Sequence, residues 1–376
     1  MEINNNSQVN PFFSICIPQY NRTSFLLEAC KVLAQQTFKD FEVCISDDRS
    51  TDGREQDLIN YLQESGLYFI YKKQEKNLRY DGNIRASIAL SKGKYCFLHG
   101  NDDCLASPTT LEELHKEIQK HNSVAVIITN YEDWETGQKN RRIRQSMLVG
   151  SGPEVAVTHF RNVAFVSGVL VDRVQAQSNS TDKWDGSEMY QMFVASRILA
   201  SGGALLELDM SAVRKDIQIS GESVDSYALK PRLNPCPIVE RTLPMMVFGR
   251  VVADAIEPYL YLANREKIIE KIFLQLYLFT YPFWIVEYRR VQSWNYALGV
   301  CLGMKPKNVF LGIDLGIVRS ARLYSLYFLV CAIGLSLPIE LFNKWQPLLF
   351  SISKSLFMKS KTATHKLWPL YIPKSD

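Results

Sequence analysis

The first 130 residues alternate two hydrophobic patterns. Short apolar runs at 12–17 (FFSICI), 41–46 (FEVCIS), 67–71 (LYFIY), 94–99 (KYCFLH) and 123–129 (SVAVIIT) have the length and the β-branched or aromatic content of strands. Helically spaced stretches lie between them. Residues 23–36 place Phe25, Leu26, Ala29, Val32 and Leu33 on one face. Residues 54–64 and 83–91 read the same way. Ser107-Pro108 predicts a further helix start, with serine as cap and proline at the first helical position. Strand and helix in repetition predict an α/β fold with a mostly parallel sheet covered by helices on both faces. Ligands of such sheets sit beyond the carboxyl ends of the strands.

Beyond residue 130 the pattern loosens. Residues 130–156 read as a long polar excursion, 165–173 as a strand, and 181–199 as a polar, tryptophan-bearing loop entering a helix. A further strand is expected at 204–208. Residues 209–243 are irregular, with Pro231, Pro235 and Pro237, and Pro244 follows. From 245 onward the chain is helical, apolar and aromatic, without alternation. The expected division is therefore 1–244 and 245–376. In the second part, 273–288 is apolar but interrupted by Pro282 and closed by Arg289 and Arg290. Residues 323–342 have about the length a bilayer crossing requires, with Pro338 and Glu340 at the end and Arg319, Arg322 and Lys344 flanking. Lys354, Lys359, Lys361 and Lys366 then interleave with Phe357, Trp368 and Tyr371. Basic and aromatic residues together suit a membrane interface. A helical domain that packs on the first part or self-associates is the plainer alternative, and a true span ranks third.

Composition narrows this little. A net charge of +4 on 376 residues is too small to argue for nucleic acid. The eight cysteines show no CxxC or Cys/His metal spacing, which points to a reducing, cytoplasmic compartment. The start, MEINNNSQVNPFF, has no basic region followed by an apolar stretch, so no secretory signal is expected.

Three segments that follow predicted strands are chemically loaded: IPQYNR (17–22), SDDRSTDG (46–53) and HGNDD (99–103). All three should meet at one edge of the sheet. In the last, Asp102 and Asp103 stand side by side after an apolar strand. Adjacent carboxylates repel unless they are solvated or share a positive charge. A surface turn is the bland answer; a divalent cation, which takes carboxylate oxygens, is the sharp one.

These motifs, in this order and spacing, resemble family 2 glycosyltransferases of the GT-A fold. NLRYDGNI (77–84) followed by GNDD is similar to the branch of abequosyltransferase-like enzymes of bacterial surface-polysaccharide synthesis. The resemblance covers residues 12 to about 200. It implies a Rossmann-like GT-A sheet, a nucleotide-sugar donor, a divalent cation (Mn²⁺ or Mg²⁺) and inversion at the anomeric carbon. It also implies a polyprenyl-diphosphate-linked saccharide acceptor and peripheral attachment at the cytoplasmic face of the inner membrane. One departure stands out: where the common pattern is Asp-x-Asp-Asp, the first position here is Gly100.

Against that background Pro18 ends the first strand, Asn21 turns the chain, and Tyr20 and Arg22 are placed against a base and a diphosphate. The plain alternative is a polar strand-to-helix loop. Asp47 follows the second strand and can accept from a base N–H; Asp48 does the same or holds the loop. Ser50, Thr51 and Asp52 are expected to cap the next helix. Asn77, Asp81, Asn101 and Asp102 complete the donor-contacting set. Asp103 is expected as the main cation ligand, with Asp102 beside it; His99 either joins them or points into the core. Inversion also needs a base on the acceptor side. Glu188 in WDGSEMYQ (184–191) aligns best with the family's acid, and Asp185 is the runner-up. Glu188 as a mere first-turn residue is the bland reading. Trp184 can pack on a sugar ring or on protein. Arg141, Arg142 and Arg144 read as a solvated charge run that can also meet a lipid diphosphate. The competing class is a catalytically silent sugar- or nucleotide-binding scaffold, favoured by Gly100. A nucleotidyltransferase would want a glycine- and basic-rich phosphate loop after the first strand, and IPQYNR is not one.

Overall fold

A computed structural model of the protein describes residues 2–5, 10–222, 244–291, 293–345 and 348. Pro231, Pro235, Pro237, Lys354, Phe357, Lys359, Lys361, Lys366, Trp368 and Tyr371 lie outside the described residues. The chain forms two compact units. One draws on Met1–Val155 and Phe160–Val224, the other on Ala156–His159 and Asp225–Lys366.

In the first unit each of the five apolar runs becomes a strand. After β1 (Glu2–Asn4), the strands β2 (Phe13–Gln19), β3 (Phe41–Asp47), β4 (Phe69–Lys73) and β5 (Tyr95–Leu98) alternate with α1 (Thr23–Ala34), α2 (Glu55–Glu64) and α3 (Arg79–Leu90). Then come β6 (Cys104–Leu105), α4 (Thr110–Gln119), β7 (Val124–Asp133), β8 (Lys139–Asn140), β9 (Met147–Gly150) and α5 (Pro153–His159). β10 (Val169–Asp172), α6 (Arg173–Ser178), α7 (Tyr190–Ala200) and β11 (Ala204–Lys215) complete the unit. The sheet order is β1-β4-β3-β2-β5-β10-β7-β11-β6.

β2 to β5 pair in parallel. β10 runs antiparallel between β5 and β7, and β7 is parallel to β11. Two reversals restore the direction, so β7 and β11 point the same way as β2 to β5. The carboxyl ends of all six strands therefore lie along one edge. The core beneath them is made by side chains such as Phe13, Ile15, Val43, Phe69, Phe97, Leu114 and Leu206, all buried.

Several expectations shift. α4 begins at Thr110, not at Pro108; Ser107 accepts through its carbonyl from Thr110 N–H, so Ser107-Pro108 form a turn ahead of the helix. The polar stretch at 130–156 is not one excursion. It contains β8, which folds back on β7, and β9, which pairs with β11. Asp52 caps the preceding helix rather than the next one: its carboxylate accepts from Thr23 N–H at the start of α1 (2.9 Å). α2 has no side-chain cap.

In the second unit α8 (Pro244–Ile256), α9 (Arg265–Gln275), α10 (Tyr281–Val291), α11 (Trp294–Gly303), α12 (Pro306–Val309) and α13 (Gly316–Ser336) pack around Phe273, Leu276, Tyr277, Tyr281, Ile285, Val300 and Leu323. A wide π-type turn at Leu276–Thr280 joins α9 to α10 just before Pro282. Proline lacks the N–H that a regular ladder would need there. The buried carboxylate of Glu270 is paired with Arg319 and Arg322, and Arg289 donates to the Gly334 and Leu337 carbonyls at the end of α13. These arginines serve packing inside the unit. α13 is the one described helix long and apolar enough to cross a membrane; it ends before Pro338, so the apolar stretch at 323–342 is split.

Candidate active site

The loops after β2, β3, β4 and β5 meet at the sheet edge and are tied to one another. Asn21 and Arg22 both have left-handed backbone (φ 51° and 57°), a conformation in which asparagine is favoured and arginine is not. Asn21 N–H donates to Ser50 Oγ (2.8 Å), and its side-chain oxygen accepts from Thr51 N–H (2.7 Å). Gln19 is buried between the loops: its Nε2 donates to the Asn21 carbonyl, and its Oε1 accepts from Asn101 Nδ2 (2.8 Å). Tyr20 stands half exposed beside this knot, and Pro18 sits one residue inside the strand end.

Asp47 and Asp48 are both buried. Asp47 accepts from Ser50 N–H (2.7 Å), and the Tyr71 hydroxyl lies 2.9 Å from its other oxygen. Asp48 accepts from Leu78 N–H, and its carbonyl accepts from Asn77 Nδ2 (3.2 Å). Burial raises the Asp48 pKa, while the N–H bonds pull it down. Both carboxylates thus brace neighbouring loops.

Asp103 is buried; its two oxygens accept from Ser167 Oγ and from Asp216 N–H (3.1 Å). Burial, then the neighbouring Asp102, push its pKa up to about 8. Asp102 pairs with Arg22 Nη1 (3.0 Å). A Cβ on Gly100 would sit 3.0 Å from Asp102 Oδ1 and 2.9 Å from Asp103 Oδ2, so two carboxylate oxygens converge on the space that the missing side chain leaves. Ser167 Oγ would lie 3.3 Å from the same point. Among the described residues no group of three His, Cys, Asp or Glu side chains gathers as a metal cage. The pair still fits a hard cation that takes one or two carboxylates and completes its shell from substrate phosphates and water. His99 points into the core: it is fully buried, its Nδ1 lies 2.7 Å from the Gly100 carbonyl, Nε2 has no partner, and burial lowers its pKa to about 4.

Glu188 is half-buried in the loop before α7, with left-handed backbone (φ 59°). Asp81 lies in the first turn of α3. Its buried carboxylate accepts from Gly186 N–H (2.8 Å), Glu188 N–H (2.8 Å) and Tyr190 N–H (2.9 Å). Asp185 makes a two-pronged ion pair with Arg85 (2.6 and 2.8 Å). The Lys183 ammonium lies over the ring of partly buried Trp184, 5.7 Å from its centroid.

Tyr71, Arg85, Ser167 and Asp216 carried no sequence signal, because each acts through a partner remote in sequence. Arg142 is a correction. It is not part of a solvated run: its guanidinium donates to the carbonyls of Thr129, Asn162, Phe165 and Ser167. It thereby holds the segment that brings Ser167 to Asp103. Arg141 pairs with Asp209.

Residues 14–177 match the model of the family described as Glycosyl transferase family 2. This part of the chain is similar to that family. Abequosyltransferase RfbV of Salmonella typhimurium is 41% identical over 95 residues, which cover 25% of this chain and 28% of the relative. The GalNAc(5)-diNAcBac-PP-undecaprenol β-1,3-glucosyltransferase of Campylobacter jejuni is 28% identical over 97 residues, 26% of this chain and 31% of the relative. The chain spans less than half the length of the curated relatives it matches. A crystal structure of Staphylococcus aureus TarS 1–349 in complex with UDP superposes with a TM-score of 0.54 at 18% identity, over 86% of this chain and 90% of that one. The fold of the chain is thus GT-A, with a helical carboxy-terminal region.

Proposed function

We propose that the chain is an inverting, cation-dependent glycosyltransferase that moves a sugar from a nucleotide-sugar donor to a saccharide acceptor in bacterial surface-polysaccharide synthesis. The observation that carries the reading is convergence. The loops after β2, β3 and β5 are cross-tied at one sheet edge, and they bring Arg22, Asp102 and Asp103 together there. Residues 1–244 would be the catalytic domain and 245–376 the helical region.

In this reading the donor lies across the knot, with Tyr20, Asn21, Asp47 and Asp48 toward the base and Arg22 toward the diphosphate. Asp102 and Asp103 would hold Mn²⁺ or Mg²⁺, which when bound offsets the negative charge gathering on the departing diphosphate. Glu188 takes the proton from the acceptor hydroxyl. That oxygen forms the new bond to the anomeric carbon as the bond to the diphosphate oxygen breaks. The nucleoside diphosphate leaves with the electron pair, and the configuration inverts. The polyprenyl-diphosphate-linked acceptor is supported by the undecaprenol-linked acceptor in the name of the Campylobacter relative. Peripheral membrane attachment is supported by the exposed apolar residues Ile317, Val318, Phe328, Leu329 and Ile333 along α13.

The test is a panel of UDP-, GDP-, CDP- and dTDP-sugars incubated with the protein and Mn²⁺, followed for nucleoside diphosphate. Release of nucleoside diphosphate from one donor supports transfer. Release of pyrophosphate points to nucleotidyl transfer. Binding seen by thermal shift without any release makes the chain a silent binder.

A further inference from the structure

Asp81 and Arg85 lie one turn apart on α3, so their side chains share a face. Both meet the loop that carries Glu188. Asp81 receives three N–H groups, from Gly186, Glu188 and Tyr190. Arg85 receives both oxygens of Asp185 and also donates to the Thr181 carbonyl (3.0 Å). The loop is therefore gripped at both ends of the 185–190 segment. It needs the grip. Glu188 has φ 59° and Gly186 φ 91°. A left-handed glutamate is strained and persists only where its surroundings enforce it. Alternating left-handed backbone turns the N–H groups of every second residue inward, as a concave site for an anion. Here the anion is the protein's own buried carboxylate.

We infer that Asp81, with Arg85, is a positioning residue: it holds the acceptor-side loop in the strained conformation that presents Glu188. The inference rests on the reading of Glu188 as the base. Asp81 stands in a motif that otherwise reads as donor-binding. Its carboxylate instead faces backbone N–H groups about 105 residues further along the chain.

The test uses the full chain and the donor that releases nucleoside diphosphate in the panel. Asp81→Asn halves the carboxylate's capacity to accept while keeping its shape. Amide hydrogen exchange at Gly186, Glu188 and Tyr190 should speed up at least tenfold, with β3 and β5 unchanged. Turnover should fall on the order of a hundredfold with donor KM within about twofold. The double variant Asp81→Asn/Glu188→Gln should be no slower than Glu188→Gln alone, because residues acting through one group are non-additive. Unchanged loop exchange, a raised donor KM with turnover kept, or multiplying losses in the double variant would each overturn the inference. If Asp81→Asn fails to fold, Arg85→Gln, at a more exposed position, carries the same comparison at Asp185 and Gly186. Failure of the parent reading looks different: Glu188→Gln then transfers like the parent, or no donor is turned over, while the exchange measurement still reports whether Asp81 holds the loop.

Discussion

Arg22 Nη1 lies 3.0 Å from Asp102 Oδ2, an ion pair between residues eighty positions apart. Both partners are largely shielded from water, and the guanidinium also lies over the Phe25 ring, 4.3 Å from its centroid. The pair joins the first loaded loop to the last. It places a fixed cation beside two carboxylates, in the space where a cation and a diphosphate would be balanced against one another.

Arg22→Gln should therefore act in two directions. A hydrogen bond to a charged group contributes ~1.5–3 kcal/mol, so donor KM should rise roughly ten- to a hundredfold. Half-saturation by Mn²⁺ should move to lower concentration, because Asp102 loses its competing partner. Titrations of donor and of Mn²⁺ on the same variant check both. An unchanged donor KM removes Arg22 from the diphosphate.

Asp103→Asn should abolish cation-dependent turnover and leave the fold intact, since the amide can keep one of the two bonds to Ser167 and Asp216. Ser167→Ala should leave Asp103 in place but poorly oriented, with turnover reduced about tenfold and the Mn²⁺ requirement retained. Activity against Mn²⁺ concentration and circular dichroism distinguish the two. Near-normal turnover by Asp103→Asn at saturating donor ends the assignment.

The fold was legible because strands and helices write their periods locally. Five apolar runs became β2, β3, β4, β5 and β7, and the parallel order followed from their alternation with helices. The antiparallel insertion of β10 left no mark, because its four residues read like any short buried strand. The loaded loops were legible for the same local reason: GNDD and SDDRSTDG follow strands. What supports them was not. Asp52 looks like a cap for α2 but serves α1, because the fold sets the two loops side by side. Arg142 looked solvated because its partners are carbonyls of four residues scattered along the chain. Backbone acceptors are invisible to residue patterns.

His99 should govern part of the acid limb of stability. Burial lowers its pKa from 6.5 to about 4, against the opposing effect of the hydrogen bond to the Gly100 carbonyl. The native state holds the ring neutral, so below about pH 6.5 the unfolded chain binds a proton that the native chain resists. Stability present above pH 6.5 is lost as pH falls toward 4, by about 3 kcal/mol at most. His99→Phe keeps the ring and removes the proton site. Urea unfolding of parent and variant at pH 7 and pH 4.5 should show a smaller pH-dependent loss in the variant. Equal losses would assign the acid limb to other groups.

The last prediction separates the two acceptor-side acids. Glu188→Gln keeps shape and removes basicity. It should spare donor binding and reduce transfer by about 10²–10⁴-fold, the usual contribution of a general base. Asp185 is differently placed. Both its oxygens already accept hydrogen bonds from Arg85. Asp185→Asn should therefore loosen the loop rather than remove the base, with a loss smaller than that of Glu188→Gln. The pH profile carries the distinction further. Loss of the base should flatten the limb of kcat that rises with pH, whereas a loosened loop lowers kcat at every pH and keeps that limb. Hydrolysis of donor by water should survive in both better than transfer, since water needs less positioning than a lipid-linked sugar. If Asp185→Asn is inactive while Glu188→Gln transfers like the parent, the base is Asp185 and the Arg85 pair must open during turnover. If both transfer normally, the base lies elsewhere, and Glu132 and Asp133 at the carboxyl end of β7, with Glu135 just beyond it, are the next acids to replace.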